Sequence, residues 1–174
     1  MKEERKGMLL VISGPSGTGK GTICERLLAD DPTLTFSVSA TTRYRRETEI
    51  DGVHYHFLTD AQYDELLAQD AFLEHATVHG HRYGTLKKQV EELMEKGLSV
   101  VLDIDPQGAK EVMRQRPDCV SIFILPPSYD ALRVRLHTRN TDDPIEIERR
   151  LHNAHGEIEQ MHLYQYAVVN DDLE

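Results

Sequence analysis

The run Gly14-Pro15-Ser16-Gly17-Thr18-Gly19-Lys20-Gly21-Thr22 constrains this chain more than any other stretch. It follows the apolar segment Met8 to Ile12 and precedes Ile23, Leu27 and Leu28, which recur at helical spacing. A continuous apolar segment suits a strand buried on both faces, and the later spacing suits a helix packed upon it. Gly14, Gly17 and Gly19 can take the backbone angles that turn successive N–H groups onto one anion. The following helix aims its positive end at the same point, and Lys20 adds a full charge. Strand, glycine-rich turn and helix in this order predict a phosphate cradle from Gly14 to Thr22. The spacing is that of the Walker A motif, except that Gly21 stands where Ser or Thr is usual, which leaves Thr22 as the nearest hydroxyl.

The rest of the chain alternates apolar runs with helical patterns, the signature of an α/β fold with a parallel sheet. Thr35 to Thr42 is β-prone through its branched and aromatic residues. From there to about residue 88 the chain is polar, rich in His and Tyr and without long buried strands, and reads as an insert beside the sheet. Within it, Gly52 to Leu58 alternates like a half-exposed strand, and Thr59-Asp60-Ala61-Gln62 has the form of a capping box opening a helix. Phe72 to Val78 is predicted as another strand, with His79-Gly80-His81 as its turn. Leu86 to Lys96 reads as a helix closed by Gly97. Leu98 to Leu102 reads as a buried strand that delivers Asp103 and Asp105 at its carboxyl end, where ligands bind in open α/β sheets. A helix around Gly108 to Arg114, a strand at Val120 to Leu125, a helix capped by Ser128, a charged helix from about Pro144 past Leu151 and a last strand at Ala167 to Asn170 follow.

A chain of 174 residues fits one domain that needs no disulfide or metal staple. Its net charge of −10, from 20 Lys+Arg against 30 Asp+Glu, argues against binding nucleic-acid backbone, which requires a basic face. Cys24 and Cys119 are isolated and are expected to be buried as small apolar groups. The nine histidines show no metal-ligand spacing. The charged start, Met1 to Lys6, leads into too short an apolar run for a signal core or a membrane span. A soluble, cytoplasmic protein is expected.

Positive charge must therefore be concentrated locally, and two basic groups stand apart from the cradle. Arg43, Arg45 and Arg46 open the insert, while Arg133, Arg135, Arg139, Arg149 and Arg150 lie on the two late helices. A solvated, salt-bridged surface suits the late helices from charge alone. Two arginine groups and a phosphate cradle in an acidic chain suggest instead two phosphate-bearing ligands brought together for phosphoryl transfer, which is catalysed mainly by positioning and charge neutralisation. A phosphate acceptor needs no general base, because its second pKa of about 6 leaves the oxygen ionised near neutrality. Asp103 suits a role in holding magnesium through its water shell, and helix capping suits Asp105 equally well.

The cradle, Ser37-Val38-Ser39-Ala40-Thr41-Thr42-Arg43, Asp51-Gly52-Val53-His54-Tyr55, Phe72-Leu73-Glu74, Tyr83-Gly84-Thr85, Leu102-Asp103-Ile104-Asp105-Pro106-Gln107-Gly108, Ile124-Leu125-Pro126-Pro127-Ser128 and Val169-Asn170-Asp171-Asp172-Leu173 together resemble guanylate kinase. The resemblance runs in register from about residue 8 to the end. It implies a P-loop kinase with a central parallel sheet flanked by helices, a small mixed α+β insert for the nucleoside monophosphate and a helical lid. The core would take about residues 1–35, 86–125 and 155–174, the insert about 36–85 and the lid about 126–154. It further implies transfer of the γ-phosphoryl of ATP to GMP with Mg2+. By the resemblance, Ser39, Glu74 and Thr85 would meet guanine, and Arg43, Arg46, Tyr55 and Tyr83 the GMP phosphate. Lys20, Arg43, Arg135, Arg139 and Arg150 would act on the transferring group. Asp103 would stand at the GMP site and, with Thr22, at the metal. Guanine offers two adjacent donors that one carboxylate such as Glu74 can accept, and the hydroxyls of Ser39 and Thr85 can donate to its acceptors.

The sequence departs from the family at several places. Tyr44-Arg45-Arg46-Glu47-Thr48-Glu49 lacks the proline and the Gly-Glu pair common there, so Arg46 is assigned by spacing. His75 replaces an aromatic residue, and Thr138-Arg139-Asn140 replaces Gly-Arg-Gly in the lid. The family continues with a further helix after Asn170 to Leu173, so one edge of the core is expected to be less covered. Two other readings fit such a fold, a silent module that binds peptides and a kinase for another phosphorylated acceptor. A GTPase is disfavoured by the lack of an Asn-Lys-x-Asp motif.

Overall fold

The computed structural model describes residues 6–78, 80–138 and 144–172. The chain runs through β1 (Leu9–Ser13), α1 (Lys20–Asp30), β2 (Leu34–Phe36), β3 (Ala40–Thr41), β4 (His56–Phe57), α2 (Asp60–Ala68), β5 (Phe72–Val78), β6 (His81–Leu86) and α3 (Lys87–Glu95). It continues with β7 (Ser99–Asp103), α4 (Pro106–Gln115), β8 (Val120–Leu125), α5 (Tyr129–Thr138), α6 (Pro144–Ile158), a 3-10 turn (Glu159–Leu163) and β9 (Tyr166–Val169).

Five strands form a parallel sheet in the order β2-β7-β1-β8-β9. β1 is its centre, with Ile12 opposite Asp103 of β7 and Ser13 opposite Phe123 of β8. After β1 the chain builds one side of the sheet, then crosses to the other, so the carboxyl end of β1 is where the strand order reverses. A crevice opens at such a point, and the glycine-rich run lies there. One face of the sheet packs Val11, Val100, Leu102 and Phe123 against Val90 and Met94 of α3 and Val112 of α4. The other face buries Ile12, Val101 and Ile124 with Cys24 of α1. Cys24 and Cys119 are both free and buried, as expected. Burial pushes the Cys24 thiol up to about 12, with nearby Asp103 acting in the same direction.

A second sheet, in the order β4-β3-β6-β5, forms the insert. The capping box at Thr59 is present in both directions, with Gln62 N donating to Thr59 Oγ1 at 3.2 Å and Thr59 N donating to Gln62 Oε1 at 2.8 Å. It starts α2 where Tyr63 must stack on Phe72, ring centroids 4.7 Å apart, and close the insert's own core with Ala40. The late helices α5 and α6 share a third cluster of Leu132, Leu136, Ile147, Leu151 and Ala154. Among the described residues no helix is long and apolar enough to cross a membrane.

Three expectations change. The β-prone run Thr35 to Thr42 is two strands in two sheets, β2 joining β7 in the core and β3 joining β4 and β6 in the insert. Propensity records the extended backbone and carries no information on which sheet a strand joins. Of Gly52 to Leu58 only His56 and Phe57 are strand, because Gly52, at φ +74°, donates to Tyr55 O at 2.8 Å and closes a turn. His81 to Leu86, whose first residue was read as part of a turn, is a strand paired on both sides, and with β5 it gives the insert its two longest strands. The last strand, β9, is exposed at all four residues.

Candidate active site

Gly14 and Gly19 shape the loop. Gly14 has φ +141°, and a Cβ there would lie 2.3 Å from Ile124 O; Gly19 caps α1 at φ +87°, and a Cβ there would lie 2.5 Å from Asn170 Nδ2. No side chain fits at either position. The buried Thr18 hydroxyl donates to Pro15 O at 2.8 Å, and Asn170 Nδ2 reaches in from the end of β9 to donate to Thr18 O at 2.8 Å. Lys20 Nζ spans the loop, donating to Gly14 O at 2.7 Å and Pro15 O at 3.1 Å. Burial lowers the Lys20 pKa, while Asp103, Glu157 and Asp105 work against that fall. Glu157, on α6, thus faces the lysine from a position that sequence reading did not single out.

Asp103 ends β7 beside the loop. Burial raises its pKa, and Lys20 opposes the rise. Position 21 faces it: a Cβ on Gly21 would stand 3.7 Å from Asp103 Oδ2. Thr22 opens onto a cleft of about 460 Å³ that it shares with Gly17, Gly19, Arg135, Asn170 and Asp171. Adjacent helical residues diverge by about 100°, so the fold does not turn Thr22 and Asp103 to one side. Asp105 caps α4, its Oδ1 accepting from Gly108 N at 2.7 Å.

The insert supplies a second set. A bulge in β5 between Phe72 and Glu74 aims the Glu74 carboxylate inward, where the buried Thr85 hydroxyl donates to Glu74 Oε1 at 2.6 Å. Burial pushes the Glu74 pKa up, the Thr85 hydrogen bond pulls it down and Asp105 adds to the rise. Ser39 sits between β2 and β3, its carbonyl accepting from His56 N at 2.9 Å. The Arg43 guanidinium lies 5.5 Å from the Tyr55 ring centroid, and Tyr55 meets the Tyr83 ring edge-on at 6.0 Å. The structure thus gathers Arg43, Tyr55 and Tyr83. Arg46 stands on the exposed loop beside them.

Glu49 organises that loop, and sequence reading missed it. Arg43 grips both its oxygens, Nη2 to Oε1 at 2.6 Å and Nη1 to Oε2 at 3.1 Å. Arg46 N donates to Oε2 at 2.8 Å, and Arg45 Nη1 donates to Glu49 O at 2.6 Å. The Arg43 guanidinium foremost, and the Arg46 amide after it, hold the Glu49 carboxyl down to about 2. The available signal is an acid within six residues of three arginines.

The late arginines divide. Arg150 donates from Nη1 to Ser16 Oγ at 3.1 Å, and Arg135 donates from Nη2 to Asn170 O at 2.9 Å and Asp171 O at 3.2 Å. Both therefore border the loop. Arg149 forks onto Glu146 at the surface, and Arg133 is exposed. Arg139 lies outside the described residues.

A glycine-rich loop at the reversal point of a parallel sheet, bordered by Arg135 and Arg150 from a helical pair and accompanied by an arginine–tyrosine cluster on an insert, has the form of a P-loop phosphotransferase. The comparisons with known proteins narrow the class. The family model described as guanylate kinase matches residues 6–174. Guanylate kinase of Clostridium perfringens is 48% identical over 172 residues, covering 99% of this chain and 80% of that protein. That of Neisseria gonorrhoeae is 51% identical over 174 residues, covering 100% and 85%. The crystal structure of guanylate kinase from Anaplasma phagocytophilum superposes with a TM-score of 0.70 at 36% identity, covering 97% of this chain and 79% of that one. The chain belongs to the guanylate kinase family.

Proposed function

We propose that this chain transfers the γ-phosphoryl group of ATP to GMP, giving ADP and GDP, with magnesium accompanying the nucleotide. The observation that carries the choice of acceptor is the buried Glu74–Thr85 pair. Thr85 occupies Oε1, and Oε2 faces a cleft of about 430 Å³ also lined by Asp105 and Gly108. Two adjacent N–H donors on one edge of guanine match a fixed carboxylate, and adenine has no such pair.

Arg43, Tyr55 and Tyr83, with Arg46 at the rim, take the GMP phosphate. A guanidinium has five N–H donors, so Arg43 can hold an anion while Glu49 keeps its orientation. The loop amides and Lys20 take the ATP phosphates. Arg135, Arg150 and the expected Arg139 bring positive charge to the transferring group, and the insert (about 36–85) and lid (about 126–154) close on the core to exclude water. No base is needed, because the acceptor oxygen is ionised at neutral pH.

Among the described residues no group of three or more His, Cys, Asp or Glu side chains could hold a metal ion. That fits an ion carried largely by ATP phosphates and water, with Asp103 as its contact on the protein. When bound, such an ion would supply positive charge that offsets the charge of the phosphates. The test is ADP release from magnesium-ATP with GMP, AMP, CMP, UMP and sugar phosphates as acceptors. GMP is expected to be preferred by roughly 10⁴-fold, as for a site whose buried polar groups are stranded by the wrong partner. Absence of turnover with GMP would overturn the reading.

A further inference from the structure

Gly108 occupies the third position of α4, inside the helix, where glycine is a poor choice. Its φ lies outside the positive region, so the backbone would accept alanine there. What surrounds it is unusual. A Cβ would lie 3.1 Å from Glu74 Oε2, 3.5 Å from Asp105 Oδ1 and 3.6 Å from Glu74 Cδ. Glu74 cannot swing aside freely, because Thr85 holds its other oxygen at 2.6 Å. Asp105 is tied too, as the cap that accepts from Gly108 N at 2.7 Å. Two tethered carboxylates thus converge on a bare α-carbon at the wall of a cleft of about 430 Å³. Gly156, in α6, is a helical glycine with nothing within 4 Å of its Cβ position.

We infer that Gly108 is a specificity-determining position: its missing side chain keeps Glu74 Oε2 in place and open to the second N–H donor of the acceptor base. The inference rests on the reading that Glu74 meets guanine. An added methyl group would either displace the carboxylate by a few tenths of an ångström against the Thr85 bond or cover the face through which the base approaches. Both outcomes weaken the acceptor and leave the ATP loop untouched. Helix stability moves the other way, since alanine is the better helix former.

The experiment compares full-length Gly108→Ala, Gly108→Ser and Gly156→Ala with the wild type in thermal melts and steady-state ADP release. Gly108→Ala is expected to raise the thermal midpoint or leave it unchanged and to raise the KM for GMP roughly tenfold, about what the loss of one hydrogen bond to a charged group gives. kcat and the KM for ATP stay unchanged. Gly108→Ser is expected to raise the KM for GMP further, because its hydroxyl can donate to Oε2 and occupy it. Gly156→Ala is expected to shift the melt alone. An unchanged KM for GMP in both Gly108 variants overturns the inference, as does an equal rise in the KM for ATP with a lowered midpoint, which marks a purely structural glycine. Absence of GMP turnover in the wild type overturns the underlying reading and the inference with it; wild-type turnover with unaltered variants overturns the inference alone.

Discussion

Truncating Asn170 to alanine tests whether the phosphate loop is held from outside. The residue is 9% exposed, and its Nδ2 donates to Thr18 O across 152 positions of sequence. Arg135 binds the carbonyls of Asn170 and Asp171, and Asn170 N donates to Leu125 O, so both links survive the truncation. What is lost is the donor that reaches Thr18 O among the described residues, and that carbonyl belongs to a fully buried residue. Leaving a buried acceptor unsatisfied costs about 1–3 kcal/mol. For a chain of this size that lowers the thermal midpoint by about 2–12 °C. Gly19 also loses the wall against which it is packed, and ATP must then re-order the loop on binding. If the whole penalty falls on ATP, its KM rises by about 5- to 150-fold. The KM for GMP should stay within about twofold, because additivity holds for independent sites. Asn170→Asp should do worse for ATP than alanine, since it removes the donor and adds a negative charge facing the polyphosphate. Melts and ADP-release kinetics on the three proteins settle the matter. An unchanged KM for ATP with an unchanged midpoint would refute the idea that the Asn170 clasp shapes the loop. Equal losses for ATP and GMP would show a global effect instead.

Glu74→Gln keeps an acceptor for Thr85 and turns an NH2 group toward the base, so the KM for GMP should rise on the order of a hundredfold, with calorimetric ATP binding unchanged; unaltered GMP kinetics would remove Glu74 from base recognition. Glu49 is depressed from its ordinary 4.5 to about 2, so the stability it contributes is fully present above pH 4.5 and is lost as pH falls toward 2. Glu49→Gln should therefore flatten the melting-point curve within that window and meet the wild type below it; parallel curves through the window would show that the Arg43 pairing contributes no pH-dependent stability. Cys24, fully buried with its thiol pushed up to about 12, and Cys119 should both resist alkylation in the native protein at pH 8; mass-spectrometric labelling of either without denaturant would contradict the packing described.

The donor half of the proposed site is legible in the sequence because its physics is local. Nine consecutive residues carry the strand exit, the turn and the helix start, and no distant partner is needed to see that an anion belongs there. The acceptor half follows another rule. Glu74 and Thr85 meet because they are opposite each other in the β5–β6 hairpin, and the bulge at Phe72/Glu74 sets that register. A shift of one residue would turn every side chain of the strand to the opposite face. Since the residues of β6 carry no strand signal in the sequence and the first of them reads as part of a turn, only the resemblance to a family pairs the two residues from sequence.

The same distinction explains the remaining misses. Asn170 appeared only as part of a motif, and its clasp on Thr18 depends on β9 lying beside β8 with its end next to the loop. In sequence Glu49 stands only within a departure from the family pattern, although the three arginine residues around it make it the anchor of the turn. Arg149 and Arg150 are adjacent in sequence and about 100° apart on a helix; both reach Glu146, and of the two it is Arg150 that also donates to Ser16. Thr22 and Gly21 divide for the same reason, one toward the cleft beside Asn170 and the other toward Asp103. Spacing therefore marks the residue types that the proposed phosphoryl transfer would use, and helical phase decides which of two neighbours faces the loop. At position 21 that neighbour is a glycine, so this position presents no side chain to Asp103, whose Oδ2 lies 3.7 Å from where a Cβ would stand.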